Sequence, residues 1–212
     1  GMGGRPGGEF ASSLAAKVVL AHLSSPEASI AEAGDQMAEA VLLANSKVWE
    51  AGAGVPERKG MGTTVTALTI HPDSKRWVIG HVGDSRGYLL RDDNLRRITR
   101  DHTVVQALVE SGAISPSKSE DHPLGHLINR AVGTKATVEV DIFEGVALPG
   151  DIFLLCSDGL AGLVTDSELG VALQGMAGND LDEKSAELIA LAHERGAPDN
   201  VTLGFLAIED IA

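Results

Sequence analysis

The spacing of apolar positions changes along the chain, and each change predicts an element. From Glu9, the residues Phe10, Leu14, Val18 and Leu20 recur at about the 3.6-residue helical period, and Ser24-Ser25-Pro26 supplies the stop. A second helix is predicted from Ser29 to about Trp49, with Ile30, Met37, Val41, Leu42 and Trp49 as its apolar anchors. After the glycine-bearing loop from Gly52 to Gly60, the period falls to two. Thr63 to Ile70 alternates and is rich in β-branched residues, as a half-buried strand requires. Trp77 to Ile79, Gly87 to Arg91 and Leu95 to Thr99 follow as short strands, with Asp92-Asp93-Asn94 as a tight turn.

The second half mixes both periods. Thr103 is placed to cap a helix running to Ser111, and Ser115-Pro116 opens a short turn. Leu127 to Val132, Val138 to Ile142 and Asp151 to Cys156 read as strands. Thr165 with Glu168 three residues later has the capping-box pattern. Leu181 to Arg195 is the last helix, and Asn200 to Ile208 the last strand. Short strands joined by short turns favour antiparallel sheets, so the pattern predicts an α+β fold in a single domain spanning 1–212.

Composition narrows the partners. Hydrophobic residues make up 43% of the 212, enough for a sizeable core, and aromatics only 3%, so that core is aliphatic. Thirty acidic against 17 basic residues leave a formal charge of −13, which repels nucleic acid and anionic membrane surfaces and is compatible with metal cations. No apolar run has transmembrane length and no signal peptide is visible, so a cytoplasmic protein is expected. Cys156, the one cysteine, follows the apolar run Ile152-Phe153-Leu154-Leu155 and reads as a small buried hydrophobe.

The chemistry lies in three acidic turns. Asp84 stands in Gly83-Asp84-Ser85-Arg86, Asp158 in Ser157-Asp158-Gly159 and Asp199 in Pro198-Asp199-Asn200, each beside an apolar strand-like run. Carboxylates at strand ends can converge from distant parts of a sequence, and an all-oxygen donor set suits magnesium or manganese. Asp-Gly and Pro-Asp are also common turn pairs, and spacing alone leaves both readings open. Ser85 and Ser157 are poor nucleophile candidates because neither has a histidine base beside it in sequence.

These segments, together with Gly1-Met2-Gly3-Gly4, Gly8-Glu9, Gly62-Thr63-Thr64, Leu160 and Val201-Thr202, resemble in order the metal-dependent serine/threonine phosphatase family PP2C, or PPM, in its bacterial branch. The resemblance spans nearly the whole chain. It implies a four-layer α-β-β-α sandwich of two antiparallel sheets flanked by helices. It implies hydrolysis of phosphoserine and phosphothreonine in proteins by direct attack of a metal-activated water, with about two to three Mg2+ or Mn2+ ions in a complete domain. Carried over by motif, Asp158 and Asp199 are catalytic metal ligands, Asp84 and Asp158 match ligands of a third ion, and the backbone carbonyl of Gly1 matches a glycine that contacts a metal. The segment from about Asp101 to Ala131 matches the family's flap through Asp101-His102-Thr103, His122-Pro123 and Asn129-Arg130, with Leu124 or Gly125 where the family has an arginine or similar polar residue.

The resemblance also implies family residues ahead of Gly1: the first strands, a phosphate-gripping arginine, an acidic residue and a metal aspartate. Gly1-Met2 itself reads as the scar of a removed tag. The chain is therefore expected to be an N-terminally truncated, impaired phosphatase with fewer or weaker metal sites. Exposed strand edges would then favour a homodimer. The expected partners are a phosphorylated protein and a cognate serine/threonine kinase. The alternative is a non-catalytic PP2C-like regulatory or partner-binding module.

Overall fold

The computed structural model describes residues 1–2, 7–24, 33–118 and 122–209. Its elements in chain order are α1 (Gly8–Leu23), α2 (Ala33–Gly52), β1 (Val65–His71), β2 (Arg76–Val82), β3 (Arg86–Arg91), β4 (Asn94–Arg97), α3 (Val104–Glu110), β5 (Asp141–Val146), β6 (Ile152–Cys156), α4 (Asp158–Ala161), α5 (Asp166–Ala172), α6 (Leu181–Glu194) and β7 (Leu203–Ala207). The strands form two sheets, one ordered β1-β2-β5 and the other β4-β3-β6-β7. Every pair in the second is antiparallel, and β1 reaches β2 through the short turn Pro72–Ser74, which only antiparallel neighbours allow. The α+β class with two antiparallel sheets expected from the sequence is the one found. Among the described residues, no helix is long and apolar enough to cross a membrane.

The chain forms two compact units. The first comprises Gly1–Leu68, Val78–Asp84 and Arg100–Phe143, the second Thr69–Trp77, Ser85–Thr99 and Glu144–Ala212. In the first unit α1 and α2 form an antiparallel hairpin: His22 near the end of α1 faces Glu39 in α2, while Arg58, just past α2, lies over the ring of Phe10 near the start of α1. The buried face of α1 is Ala11, Ala15 and Val19, and that of α2 is Met37, Ala40, Val41, Ala44 and Val48. Phe10, Leu20, Leu42 and Trp49, expected as inward anchors, are instead exposed. The reason is steric. Alanines allow the two backbones to approach, and the seam therefore belongs to small residues rather than to the largest hydrophobes. Ile30, also expected as an anchor, lies outside the described residues, as do the expected start of the second helix at Ser29 and the stop residues Ser25 and Pro26. Helix α2 lies against β2 at Gly80, where a Cβ would stand 2.5 Å from Met37 Cγ.

Asn45 and His81 are among the polar residues buried in this unit. Asn45 on α2 accepts from the Gly133 N–H (2.7 Å) and donates to the carbonyls of Lys135 (3.2 Å) and Ala136 (3.1 Å), tying the loop before β5 to the helix. His81 on β2 faces the Arg100 carbonyl through Nε2 (3.0 Å) and the Thr66 hydroxyl through Nδ1 (2.9 Å), so Nε2 carries the proton of a neutral ring. Burial, then repulsion from His102, lowers the pKa of His81 from 6.5 to about 4.

The second unit has its own core: Tyr88 and Leu90 from β3, Ile152, Leu154 and Cys156 from β6, and Leu160, Leu169, Leu173 and Leu188 from the helices. Cys156 is buried in β6, where the sequence placed it as a hydrophobe. The β3–β4 turn has Asp92 and Asp93 at φ 50 and 58, the two left-handed residues of a tight hairpin. Glu168 completes the predicted capping box at Thr165 and also pairs with Arg195 beyond α6 (2.7 Å). Asp151, which the sequence reading did not single out, is buried and held by Arg91 through two hydrogen bonds (2.7 and 2.6 Å). One expected strand is absent. Residues Leu127 to Val132 make only the isolated bridges Thr103↔Ile128 and Thr63↔Val132, because their main chain divides its hydrogen bonds among separate partners instead of one ladder.

Asn45→Ala leaves the Gly133 N–H buried without an acceptor. It should lower stability by about 2–3 kcal/mol in urea unfolding, with the secondary structure retained. A second expectation follows from His81. Its folded pKa is depressed, so its contribution is intact above pH 6.5 and is lost as pH falls toward about 4, where the unfolded chain takes up the proton first. Unfolding measured between pH 7.5 and 4 should show a loss of up to about 3 kcal/mol that is absent in His81→Gln.

Candidate metal centre

The strand pairing of β6 with β7 builds the first half of the site. The ladder reaches Cys156↔Leu203 and is extended by non-ladder bonds. Ser157 N–H donates to the Thr202 carbonyl (2.9 Å), Thr202 N–H donates to Ser157 Oγ (3.1 Å), and that hydroxyl donates toward the Asn200 carbonyl (3.2 Å). Ser157 is thus a structural brace, with its oxygen engaged on both sides. Gly159 lets the second turn close down: a Cβ there would lie 2.3 Å from the Asn200 oxygen, a distance that excludes every other residue. Asp199 accepts from the Asn200 N–H (2.7 Å), which orders its own turn.

This frame brings Asp158 and Asp199 together. The Asp158 carboxyl is pushed above its ordinary value, first by desolvation and then by the charge of Asp199. Asp158 is nonetheless an exposed residue, open to solvent on one side. The second unit therefore places two carboxylates within electrostatic reach of one another. Among the described residues, no three His, Cys, Asp or Glu side chains gather as a metal-holding group, so this is a pair and not a triad. The donor chemistry suits a hard dication, which would relieve both the repulsion and the desolvation. Such an ion takes about six oxygens, so water must fill the positions that two carboxylates leave open.

Asp84 belongs to the first unit. It follows β2 and is buried. Gly83 before it has φ +119, and its missing Cβ would lie 2.4 and 2.5 Å from the side chain of Thr64, which explains the glycine at this position and the Gly62-Thr63-Thr64 segment beside it. Gly83 N–H donates to His102 Nδ1 (3.0 Å), and His102 N–H donates to the Gly83 carbonyl (2.7 Å). Gly1 is exposed in the same unit, and the neighbouring Met2 N–H donates to the Gly62 carbonyl (3.1 Å).

The segment expected from the sequence as a flap, about Asp101 to Ala131, is tied together near its two ends. Thr103 caps α3 through the Gln106 N–H (3.2 Å), Val104 N–H donates to the Leu127 carbonyl (2.8 Å), and Asn129 N–H to the His102 carbonyl (2.9 Å). His102, Arg130 and Asp141 form a cluster that the sequence reading did not identify as functional. It noted Asp101-His102 and Asn129-Arg130 only as flap pattern. A paired histidine and arginine flanking a predicted helix in an otherwise acidic chain was the available signal.

The sequence profile described as Protein phosphatase 2C matches residues 1–197. The chain belongs to the protein phosphatase 2C family. Among relatives, this PP2C chain is 43% identical over 206 residues to the serine/threonine protein phosphatase PstP of Mycobacterium tuberculosis, covering 96% of this chain and 38% of that protein. It thus spans well under half of that relative's length. It is 33% identical over 205 residues to the serine/threonine phosphatase stp of Listeria innocua, with 96% and 80% covered. The solved catalytic domain of PstP in complex with two manganese ions matches with a TM-score of 0.84 at 39% identity, over 99% of this chain and 85% of that one. Members of the PP2C family are metal-dependent phosphatases, and two carboxylates on a glycine-closed turn are donors of the type such ions need.

Replacing Asp199 should expose the cost of the pair. Because the pKa of Asp158 is raised, its ionisation opposes folding of the metal-free protein as pH rises through the carboxylate range. Asp199→Asn should therefore raise metal-free stability at pH 7, by less than about 1 kcal/mol since the pair is partly exposed. The same variant should bind Mn2+ more weakly. Urea unfolding with and without Mn2+ checks both signs.

Proposed function

We propose that this chain hydrolyses phosphoserine and phosphothreonine esters in proteins, with Asp158 and Asp199 as carboxylate ligands of Mg2+ or Mn2+. Within the first unit, the Asp84 carboxylate and the Gly1 carbonyl are further candidate metal-ligating oxygens. The observation that carries the reading is the Asp158–Asp199 juxtaposition, built at the cost of like-charge repulsion by a turn that admits only glycine at position 159. Asp158 and Asp199 would hold the dication, which would supply a lowered water pKa and positive charge toward the phosphoryl group.

The chain's own residues set the geometry. Asp158 and Asp199 supply carboxylate oxygens to the ion. Ser157 braces the β6–β7 end and is unavailable as a nucleophile because its hydroxyl already bonds to main-chain groups on both sides. Cys156 is buried in a strand. Neither residue offers a covalent route, which is consistent with direct attack of water on phosphorus. The substrate is a phosphorylated protein, and a serine/threonine kinase is the opposing activity in the same signalling system. The net charge of −13 argues against nucleic acid as partner.

The test is Mn2+-dependent hydrolysis of p-nitrophenyl phosphate and a phosphothreonine peptide by the purified protein. Activity should appear with Mn2+ and fall by about 100-fold or more in Asp158→Asn, since that carboxylate places charge at the reacting centre. A folded, Mn2+-loaded protein without activity would reject the enzyme and leave the partner-binding module.

A further inference from the structure

We propose that His102 is a positioning residue for Asp84, holding the turn that presents this carboxylate to a cation; the inference rests on reading Asp84 as a metal ligand. The main-chain contacts make the case first. Gly83 N–H belongs to the peptide before Gly83 and its carbonyl to the peptide joining it to Asp84. His102 bonds to both, accepting from the N–H through Nδ1 (3.0 Å) and donating its own N–H to the carbonyl (2.7 Å). One residue therefore brackets both torsions of Gly83 and holds it at φ +119 while Thr64 fills the space a side chain would take. Asp84 leaves this pinned peptide with little freedom in direction.

The ring that does this is itself fixed. Since Nδ1 accepts from Gly83, the neutral imidazole carries its proton on Nε2, which donates to Asp141 (3.2 Å). That contact is a hydrogen bond and not an ion pair, because burial and then the Arg130 charge, outweighing the pull of Asp141, keep His102 below its ordinary pKa. Arg130 binds the other oxygen of Asp141 and faces Glu139 (3.4 Å); its Nη1 also lies 3.0 Å from His102 Nε2, where two N–H groups meet and neither accepts, so Asp141 is the acceptor both share. Desolvation pushes Asp141 up, but His102 and Arg130 outweigh it and hold it ionised. The ring of His81 packs against that of His102 with centroids 4.7 Å apart. The chain Arg130–Asp141–His102–Gly83 thus fixes tautomer, ring orientation and turn in sequence, as outer partners of metal ligands do. His102 also accepts the Asn129 N–H at the base of the flap (2.9 Å), so flap and acidic turn share one residue.

A buried histidine can also serve only to satisfy neighbouring polar groups, and the experiment separates the two roles. Mn2+ binding is measured by calorimetry on the full chain and on Asp84→Asn, His102→Leu, His102→Asn and the Asp84→Asn/His102→Leu double variant, with urea unfolding of each. Asp84→Asn should remove one class of Mn2+ binding. His102→Leu should weaken that same class by about tenfold or more and leave the rest unchanged. His102→Asn, whose Oδ1 can replace Nδ1 as acceptor, should restore most of the affinity. The double variant should be no weaker than Asp84→Asn, because His102 acts through Asp84. Equal loss from every class, no loss in the Asp84-dependent class, or no rescue by a folded His102→Asn overturns the positioning role alone. No effect of Asp84→Asn on Mn2+ binding overturns the ligand reading, and the positioning role with it.

A measurement on the intact protein covers the case where His102→Leu does not fold. Nitrogen NMR should show scalar coupling across the Gly83 N–H···Nδ1 bond, and Mg2+ should shift both resonances in the full chain but not in Asp84→Asn. Absence of the coupling, or Mg2+ shifts that persist in Asp84→Asn, contradicts the proposal.

Discussion

Two carboxylates brought together at the edge of a protein repel one another, and only a rigid frame or a cation makes their proximity tolerable. Here the frame is visible in detail. The β6–β7 ladder ends at Cys156↔Leu203, and the next contacts are made by Ser157 and Thr202 through both main chain and hydroxyl. Gly159 then admits the Asn200 carbonyl to a distance that no Cβ would allow. Strand register, a side-chain brace and a missing methyl combine to set Asp158 beside Asp199. Desolvation first, and then the charge of Asp199, raise the pKa of Asp158 in this arrangement.

The same device recurs in the first unit with a different partner. At Gly83 the absent side chain makes room for Thr64, and the positive φ that glycine permits is held by His102 rather than by a neighbouring strand. Both acidic turns therefore depend on a glycine at close approach and on polar groups that fix the backbone around it. The hydrogen bonds that hold these turns also limit the directions their carboxylates can take.

The sequence revealed what depends on local chemistry. The Thr103 cap, the Thr165–Glu168 capping box, the Asp92-Asp93 turn and the period-two strands are set by neighbours a few residues apart, and each was legible. The face of α1 was misread because its seam is alanine, and a helix–helix contact selects small residues over the large apolar ones that periodicity weights most. Leu127 to Val132 was misread because its apolar run is bonded piecemeal across the unit. The three aspartates were found as motif positions, but their neighbours were not. Asp141 lies 39 residues from His102 in sequence, and no local rule joins a strand aspartate to a flap histidine.

The central claim is that the Asp158–Asp199 pair exists to hold a divalent cation for phosphoester hydrolysis. Anomalous diffraction at the manganese edge, from crystals equilibrated with Mn2+, tests it most directly. The account predicts an anomalous peak within bonding distance of the Asp158 and Asp199 carboxylates that disappears in Asp158→Asn. Saturating Mn2+ with no peak at that pair, in crystals where both turns are ordered, would contradict it.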